Sequence, residues 1–401
     1  MKKFSLQFLV TLVLLTAISA KAQVKKLSDS ARISLITCGP WQGELYSAFG
    51  HSAFRIYDPE QDLDWVFNYG TFDFNQPNFY LNFARGKNQY MLSVQEYSRP
   101  GTFKDFYISY NRYIHEQILN LNKYQKQRLY TYLMNNAKPE YRGYFYDYFY
   151  DNCSTRPRDV LKAVFGNHIH FESSHISGSK TIRQLTDDYL RQQPWGDLGI
   201  DICLGLPMDK VASPMEYTFL PDYLELAFDN AHFGSGRNSI PLVKEKKVVY
   251  AASKESAEFS LFHPWIVFGA LFFAVALISY FDFRKNRITR WIDYSLFFIT
   301  GTLGVLLVLL WFATDHKAAA QNFNLLWAMP LNLYFPFIKD TSTRRKYFQG
   351  MTILTLALLL GWSILPQELN IFLVPVVAAM LLRYLINSEL IKKLSSAGIK
   401  K

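Results

Sequence analysis

Cys153 stands directly behind Asp151-Asn152 and ahead of Ser154-Thr155-Arg156-Pro157-Arg158-Asp159. A cysteine attacks as the thiolate, so its surroundings decide whether it is chemical or merely a small buried hydrophobe. Asn152 is a good N-cap and Pro157 is tolerated only near a first turn, which predicts a helix starting at the cysteine. A helix start aims unpaired N–H groups and the positive end of the dipole at the sulfur, predicting a thiol that ionises easily. Upstream, Gly50-His51-Ser52-Ala53-Phe54-Arg55-Ile56 places an imidazole at the mouth of an alternating strand. Such a histidine can take the proton of a thiol on a facing helix end. Cys153 as nucleophile and His51 as base are therefore the candidate catalytic pair.

The neighbouring elements must bring these two together. Residues 33–37 read as a strand leading into the turn Cys38-Gly39-Pro40, and residues 43–50 as a short amphipathic helix delivering the chain to His51. Residues 51–57 and 63–69 read as strands joined by the acidic turn Asp58-Pro59-Glu60-Gln61-Asp62. Antiparallel pairing across that turn brings Asn68, Tyr69 and Gly70 near His51, and either Asn68 or Tyr69 has a side chain able to orient the ring. Residues 90–94 look like a further strand. Residues 113–135 show helical periodicity through Ile114, Ile118, Leu121, Leu129 and Leu133, with a break available at Asn120-Leu121-Asn122. The aromatic run of residues 141–150 suits packing, or the wall of an apolar groove that fits an acyl chain better than a sugar or nucleotide. After Cys153 the helix should reach Gly166; a second is expected over 181–192, short helices over 195–229, and a last strand over 240–251. His168 and His170 would share a strand face and His175 follows, but no partner has ligand spacing, so no metal and no other cofactor is expected.

The whole-chain charge of +10 is unevenly placed. Residues 261–401 hold 14 basic and 6 acidic residues, whereas residues 23–260 hold 26 and 27. The soluble part thus lacks the basic excess that nucleic-acid binding needs. Residues 1–22 join Lys2-Lys3, a short apolar run and Ala20-Lys21-Ala22, the pattern of a cleaved export signal. Three cysteines in an exported chain leave at least one unpaired; Cys38 and Cys203 are either a disulfide or two buried thiols.

The tail predicts five membrane spans, at residues 265–283, 291–313, 323–338 (interrupted by prolines), 348–364 and 371–386. Basic clusters follow the first, third and fifth, which places those loops in the cytoplasm and the Cys153 domain outside it. The loop Thr314-Asp315-His316, with Asn322 and Asn324, then lies on the Cys153 side, as plain loop or as a floor beneath the site. The expected organisation is a signal at 1–22, a Cys/His domain at 23–260 and a transmembrane domain at 261–401.

The histidine-then-cysteine order reverses that of papain-like enzymes and resembles circularly permuted, NlpC-type members of that superfamily. More closely, Leu45-Tyr46-Ser47-Ala48-Phe49-Gly50-His51-Ser52-Ala53, Val66-Phe67-Asn68-Tyr69-Gly70-Thr71-Phe72 and the stretch from Phe149 to Asp159 resemble the Lnb family, also known as DUF4105. The resemblance implies an α+β, circularly permuted papain-like periplasmic domain followed by a helical bundle of about five spans. It implies a multi-pass protein of the bacterial inner membrane, acting as a lipoprotein N-acyltransferase. An acyl chain would pass from a membrane phospholipid, through a Cys153 thioester, to the amino terminus of a diacylglyceryl-cysteine lipoprotein. His51 would serve as base and then acid, with Asn68 and Tyr69 as further catalytic positions. Tyr46, Tyr150, Asp151, Asn152 and Arg156 are the expected substrate-binding positions. Two rival functions are an exported cell-wall peptidase or amidase and a non-catalytic membrane-anchored assembly protein.

Overall fold

A computed structural model of the chain describes residues 24–72, 76–174, 176–236, 239–253 and 260–389. The expected signal at 1–22, His175 and most of the expected linker at 253–260 lie outside the described residues. Strands Arg32–Cys38 (β1), His51–Asp58 (β2), Leu63–Phe72 (β3), Gln89–Glu96 (β4), Ile114–Leu119 (β5) and Gly143–Phe145 (β6) belong to one large sheet. Ile169–Phe171 (β7), Ala231–Phe233 (β8) and Ile240–Pro241 (β9) form a small second sheet, and Val243–Tyr250 (β10) returns to the first. The large sheet has the order β10-β5-β1-β2-β3-β4-β6, antiparallel at every pairing.

Seven helices are described in this domain: Phe79–Ala84 (α1), Phe103–Ser109 (α2), Lys123–Asn136 (α3), Thr155–Phe165 (α4), Ile182–Leu190 (α5), Pro194–Cys203 (α6) and Pro221–Asp229 (α7). Because side chains alternate along a strand, the sheet sorts its residues onto two faces. One face sends Leu35, Phe54, Ile56, Phe67 and Tyr69 against Leu129, Leu133 and Leu161 of α3 and α4. The other sends Ile36, Cys38, Ala53 and Val66 against Phe103 and Tyr107 of α2.

Two local expectations are corrected. The residues around 45 form only a single 3-10 turn, Leu45–Ser47, rather than an amphipathic helix. The helix expected from 113 begins at Lys123, because 114–119 is strand β5, paired on both sides by β1 and β10. Asn122 sets the helix start through a reciprocal capping box with Gln125.

The carboxy-terminal bundle contains Pro264–Arg284 (α8), Arg290–Phe312 (α9), Thr341–Leu360 (α10) and Val374–Ser388 (α11). Among the described residues three helices, Pro264–Arg284, Arg290–Phe312 and Ile371–Ser388, are long and apolar enough to cross a membrane. The segment expected as a third span is instead a chain of 3-10 turns, Phe323–Leu326, Pro330–Leu333 and Phe335–Phe337. Pro330 and Pro336 remove the donors that a continuous helix would use. The segment still runs the length of α9: Ala328 lies against Gly304, Leu333 against Gly301, and Phe337 stacks on Tyr294. An unwound backbone at this depth must be satisfied by protein. The side chain of buried Asn332 ties the segment to its neighbours, donating to Thr300 and accepting from the Tyr347 and Tyr384 hydroxyls. At Gly304 a Cβ would fall 1.9 Å from the Ala328 carbonyl oxygen, so glycine is what lets the backbones meet. At the end away from the sheet domain, buried Arg383 pairs with Asp282 and Asp293.

The sheet domain is fastened to the near end of the bundle. Asn322 donates to the Ile202 carbonyl at 2.7 Å, Asn324 to the Asp201 carbonyl at 2.9 Å, and Leu198 of α6 enters the bundle core.

Candidate active site

The structure brings Cys153 and His51 to one mouth of the large sheet. β2 and β3 pair from Phe54↔Phe67 onward to the turn, and this pairing is not continued toward His51 and Gly70. Cys153 fills the opening: a Cβ built on Gly70 (φ +89°) would stand 3.4 Å from the Cys153 Cβ. Ser52, one residue from His51, lies near enough for its backbone N–H to pull the thiol pKa down. Ser52 and Ser154 hydroxyls lie 3.3 Å apart across the same seam.

The expected cap is present. The Asn152 side-chain oxygen accepts from the Ser154 and Thr155 N–H groups at 2.8 and 2.9 Å, and the Thr155 hydroxyl accepts from Asn152 N–H at 2.7 Å. Cys153 therefore opens the first turn leading into α4. The expectation of an easily ionised thiol is corrected: burial pushes its pKa up, against the opposing pull of Ser52 N–H and the Ser154 and Tyr146 hydroxyls. Removing a charge from water outweighs the helix terminus here.

His51 is held by Asn68, whose side-chain oxygen lies 2.5 Å from Nε2. An amide oxygen only accepts, so this contact assigns the proton to Nε2 and leaves Nδ1 as the basic nitrogen. Burial first, and then the nearby Arg112 guanidinium, pull the imidazole down to about 4, so it rests neutral. Its ring lies parallel to Tyr107, 6.0 Å between centres.

Tyr69 is corrected out of this group. Adjacent strand residues point to opposite faces, so Asn68 and Tyr69 cannot both face His51. Tyr69 goes to the α3 side, where its hydroxyl donates to Asn136 at 2.6 Å. Among the expected binding positions, Asn152 is buried and fully engaged, its amide donating to the Tyr148 and Phe219 carbonyls at 2.8 and 2.9 Å. Arg156 and Asp151 form an ion pair with each other, and the Arg156 guanidinium lies 3.8 Å above the Tyr144 ring. These three build the loop rather than present free groups. Tyr46 is well exposed on the rim near Tyr107. Tyr150 faces a separate hollow of about 550 Å³, shared with Phe149, Arg158 and Lys210 and excluding Cys153.

Sequence reasoning missed Tyr146 as a site residue. It packs beside Cys153 over Gly70, where a Cβ would stand 3.6 Å from Tyr146 Cε2 and 3.4 Å from Cys153 Cβ, and its ring stacks on Tyr90 at 4.3 Å between centres. The alternation of Tyr144, Tyr146 and Tyr148 before the cysteine was the available signal. The three cysteines are free thiols, which answers the disulfide question for Cys38 and Cys203.

A second polar cluster lies at the seam with the bundle. Buried Arg183 pairs with Asp201 and Asp209 and donates to the Leu204 and Gly205 carbonyls at 3.2 and 3.1 Å. Carboxylate oxygens of Asp187, Asp197 and Asp201 fall within 4.8 Å of one another, a set able in principle to hold a cation. Burial first, and then the Asp201 charge, push Asp187 up to about 9 and Asp197 up to about 6.

Fold and site together define a membrane protein whose α+β domain holds a half-buried thiol and imidazole and is joined to a helical transmembrane bundle. The family models agree: residues 20–188 match the Lnb N-terminal periplasmic domain, and residues 254–394 match the Lnb transmembrane domain. The chain belongs to the Lnb family. No curated protein and no solved structure matches it.

Proposed function

We propose that the protein is a lipoprotein N-acyltransferase of the bacterial inner membrane, using Cys153 as nucleophile and His51 as base. The reading is supported above all by the placement of a half-buried thiol and a half-buried imidazole at one mouth of the sheet, both beside Tyr107, in a domain joined to an apolar bundle. In the first half-reaction, Nδ1 of His51 takes the thiol proton as sulfur attacks the ester carbonyl of a phospholipid. The S–C bond forms, the ester C–O bond breaks, and the imidazolium returns the proton to the departing lysophospholipid oxygen. The Tyr146 hydroxyl and the Ser52 or Cys153 N–H groups are the donors within reach of the developing oxyanion. In the second half-reaction, the amino terminus of a diacylglyceryl-cysteine lipoprotein attacks the thioester. The N–C bond forms, the C–S bond breaks, and the proton lost by the amine restores the thiol through His51.

A neutral resting pair suits this sequence. The thiol ionises only as the carbonyl arrives, and the half-buried site, once filled by the acyl chain, limits the access of water to the thioester. Tethering to the bundle confines the search for both lipid substrates to the adjoining membrane. The test is mass spectrometry of lipoprotein amino termini from cells with the wild-type protein, Cys153→Ala or His51→Ala. Triacylated termini with the wild type and diacylated termini with both variants support the reading. Triacylated termini in the Cys153→Ala cells would overturn it.

A further inference from the structure

Helix α1 is only six residues long, yet Tyr80, Leu81 and Phe83 are 82%, 56% and 45% exposed. A soluble surface gives such side chains no reason to cluster on one short helix. Its position supplies one. The Asp315 N–H donates to the Arg85 carbonyl at 2.9 Å, the His316 Nε2 lies 3.1 Å from the Phe83 carbonyl, and Lys87 pairs with Asp315 at 3.6 Å.

These contacts fix the end of α1 to the loop that follows α9. Asp315 comes three residues after Phe312, the last residue of α9, itself 72% exposed. Three residues span at most about 10 Å, so α1 stands at the level where the apolar helix leaves the hydrocarbon. Aromatic side chains on short elements at that level are typical of the membrane interface.

From α1 a file of rings leads inward. Phe79 stacks on Phe72 at 6.1 Å, Phe72 meets Tyr90 at 5.5 Å, and Tyr90 stacks on Tyr146 at 4.3 Å between centres. Tyr146 and Cys153 come together over Gly70, where a Cβ would stand 3.6 Å from Tyr146 Cε2 and 3.4 Å from Cys153 Cβ. We propose that α1 sinks its Tyr80–Leu81–Phe83 face into the periplasmic leaflet and is the threshold over which a donor lipid's acyl chain passes along Phe72, Tyr90 and Tyr146 to Cys153. The occupant of the exposed face is thus lipid, and its continuity with the end of α9 is the reason. The hand-over rests on the acyl-transfer reading; the immersion of α1 does not.

The test uses the full chain in vesicles of phosphatidylethanolamine and phosphatidylglycerol. A nitroxide on Leu81→Cys, in a Cys153→Ser and Cys203→Ser background, should collide with oxygen far more often than with a water-soluble nickel chelate. The reverse ratio puts α1 in water and overturns the proposal. On the otherwise native chain, Tyr80→Asp with Leu81→Asp should lower the ratio of Cys153 acylation by vesicle phospholipid to that by a water-soluble short-chain thioester. The expected fall is about tenfold or more, since charge opposes interfacial immersion. An unchanged ratio overturns the threshold role. Wild-type Cys153 that accepts an acyl group from neither donor sinks the acyl-transfer reading and with it the hand-over, while the nitroxide alone decides whether α1 lies in lipid.

Discussion

The half-buried Cys153 mouth and the cluster around fully buried Arg183 are both polar, and they are built in opposite ways. Around Arg183 the guanidinium charge is answered by two carboxylates and two backbone carbonyls, while Asp187 and Asp197 beside them are pushed up. Around Cys153 the groups are kept neutral, the thiol pushed up and the imidazole pulled down by the same cause, burial. The Arg183 ion pairs join α5 and α6 to the bundle through Asn324 and Asn370. A neutral pair has proton transfer still available to it. The difference teaches that burial alone does not mark a reactive site; what matters is whether the buried groups already have their charges answered.

The sharpest way to break this comparison is to remove one group from each side. Cys153→Ala should abolish acyl transfer, read from lipoprotein amino termini, while thermal unfolding of the full chain in detergent shifts by only a few degrees. No buried charge is orphaned by that change. Arg183→Met should do the reverse in kind: it strands two buried carboxylates and costs about 3–5 kcal/mol of stability, measured by the same unfolding experiment. Adding Asp201→Asn and Asp209→Asn to Arg183→Met should recover much of that loss. If the single Arg183 variant unfolds like the wild type, the cluster is not the fastening described here.

Next in size is a pH effect. Histidine titrates near 6.5 when free, and His51 is pulled down to about 4 in the folded chain. The unfolded chain therefore binds the proton first, so this contribution to stability is fully present above about 6.5 and is lost as pH falls toward 4. Its size is about 3 kcal/mol at 1.36 kcal/mol per unit. His51→Asn should accordingly narrow the stability gap between pH 7 and pH 4.5 relative to the wild type. A gap of equal width in both proteins would mean that His51 is not held neutral by burial.

Much of this site was legible in the sequence, for stated reasons. Strands β2 and β3 flank an acidic turn, and that turn fixes which residues of β3 run back toward His51. Asn152 announced the start of the Cys153 helix because capping is local chemistry. Strand β5 was not legible: Ile114, Ile118 and Leu121 mimic a helical stripe, and the partners that make them a strand lie in β1 and β10, far away in the chain. Arg183 was invisible for the same reason, since its partners and theirs reach as far as Asn370. The choice between Asn68 and Tyr69 was available in principle from strand alternation alone. The raised thiol pKa was not, because the dipole at a helix start can be read from a cap whereas the depth of burial cannot.

The smallest expected effect concerns how His51 is aimed. Asn68 touches the ring rather than the reacting atoms, so it is a positioning residue. Asn68→Ala frees the imidazole to turn and to exchange tautomers, and should slow acylation of Cys153 about 10- to 100-fold, as loss of a ligand-orienting partner does elsewhere. A slower rate alone would also follow from a loosened strand, so a second variant is needed. Asn68→Asp keeps the shape but places a carboxylate against Nε2, which favours the imidazolium. The acid limb of the pH–rate profile for free enzyme should then move up from about 4 toward neutrality. A purely structural role for Asn68 would lower the rate in both variants and leave that limb where it was.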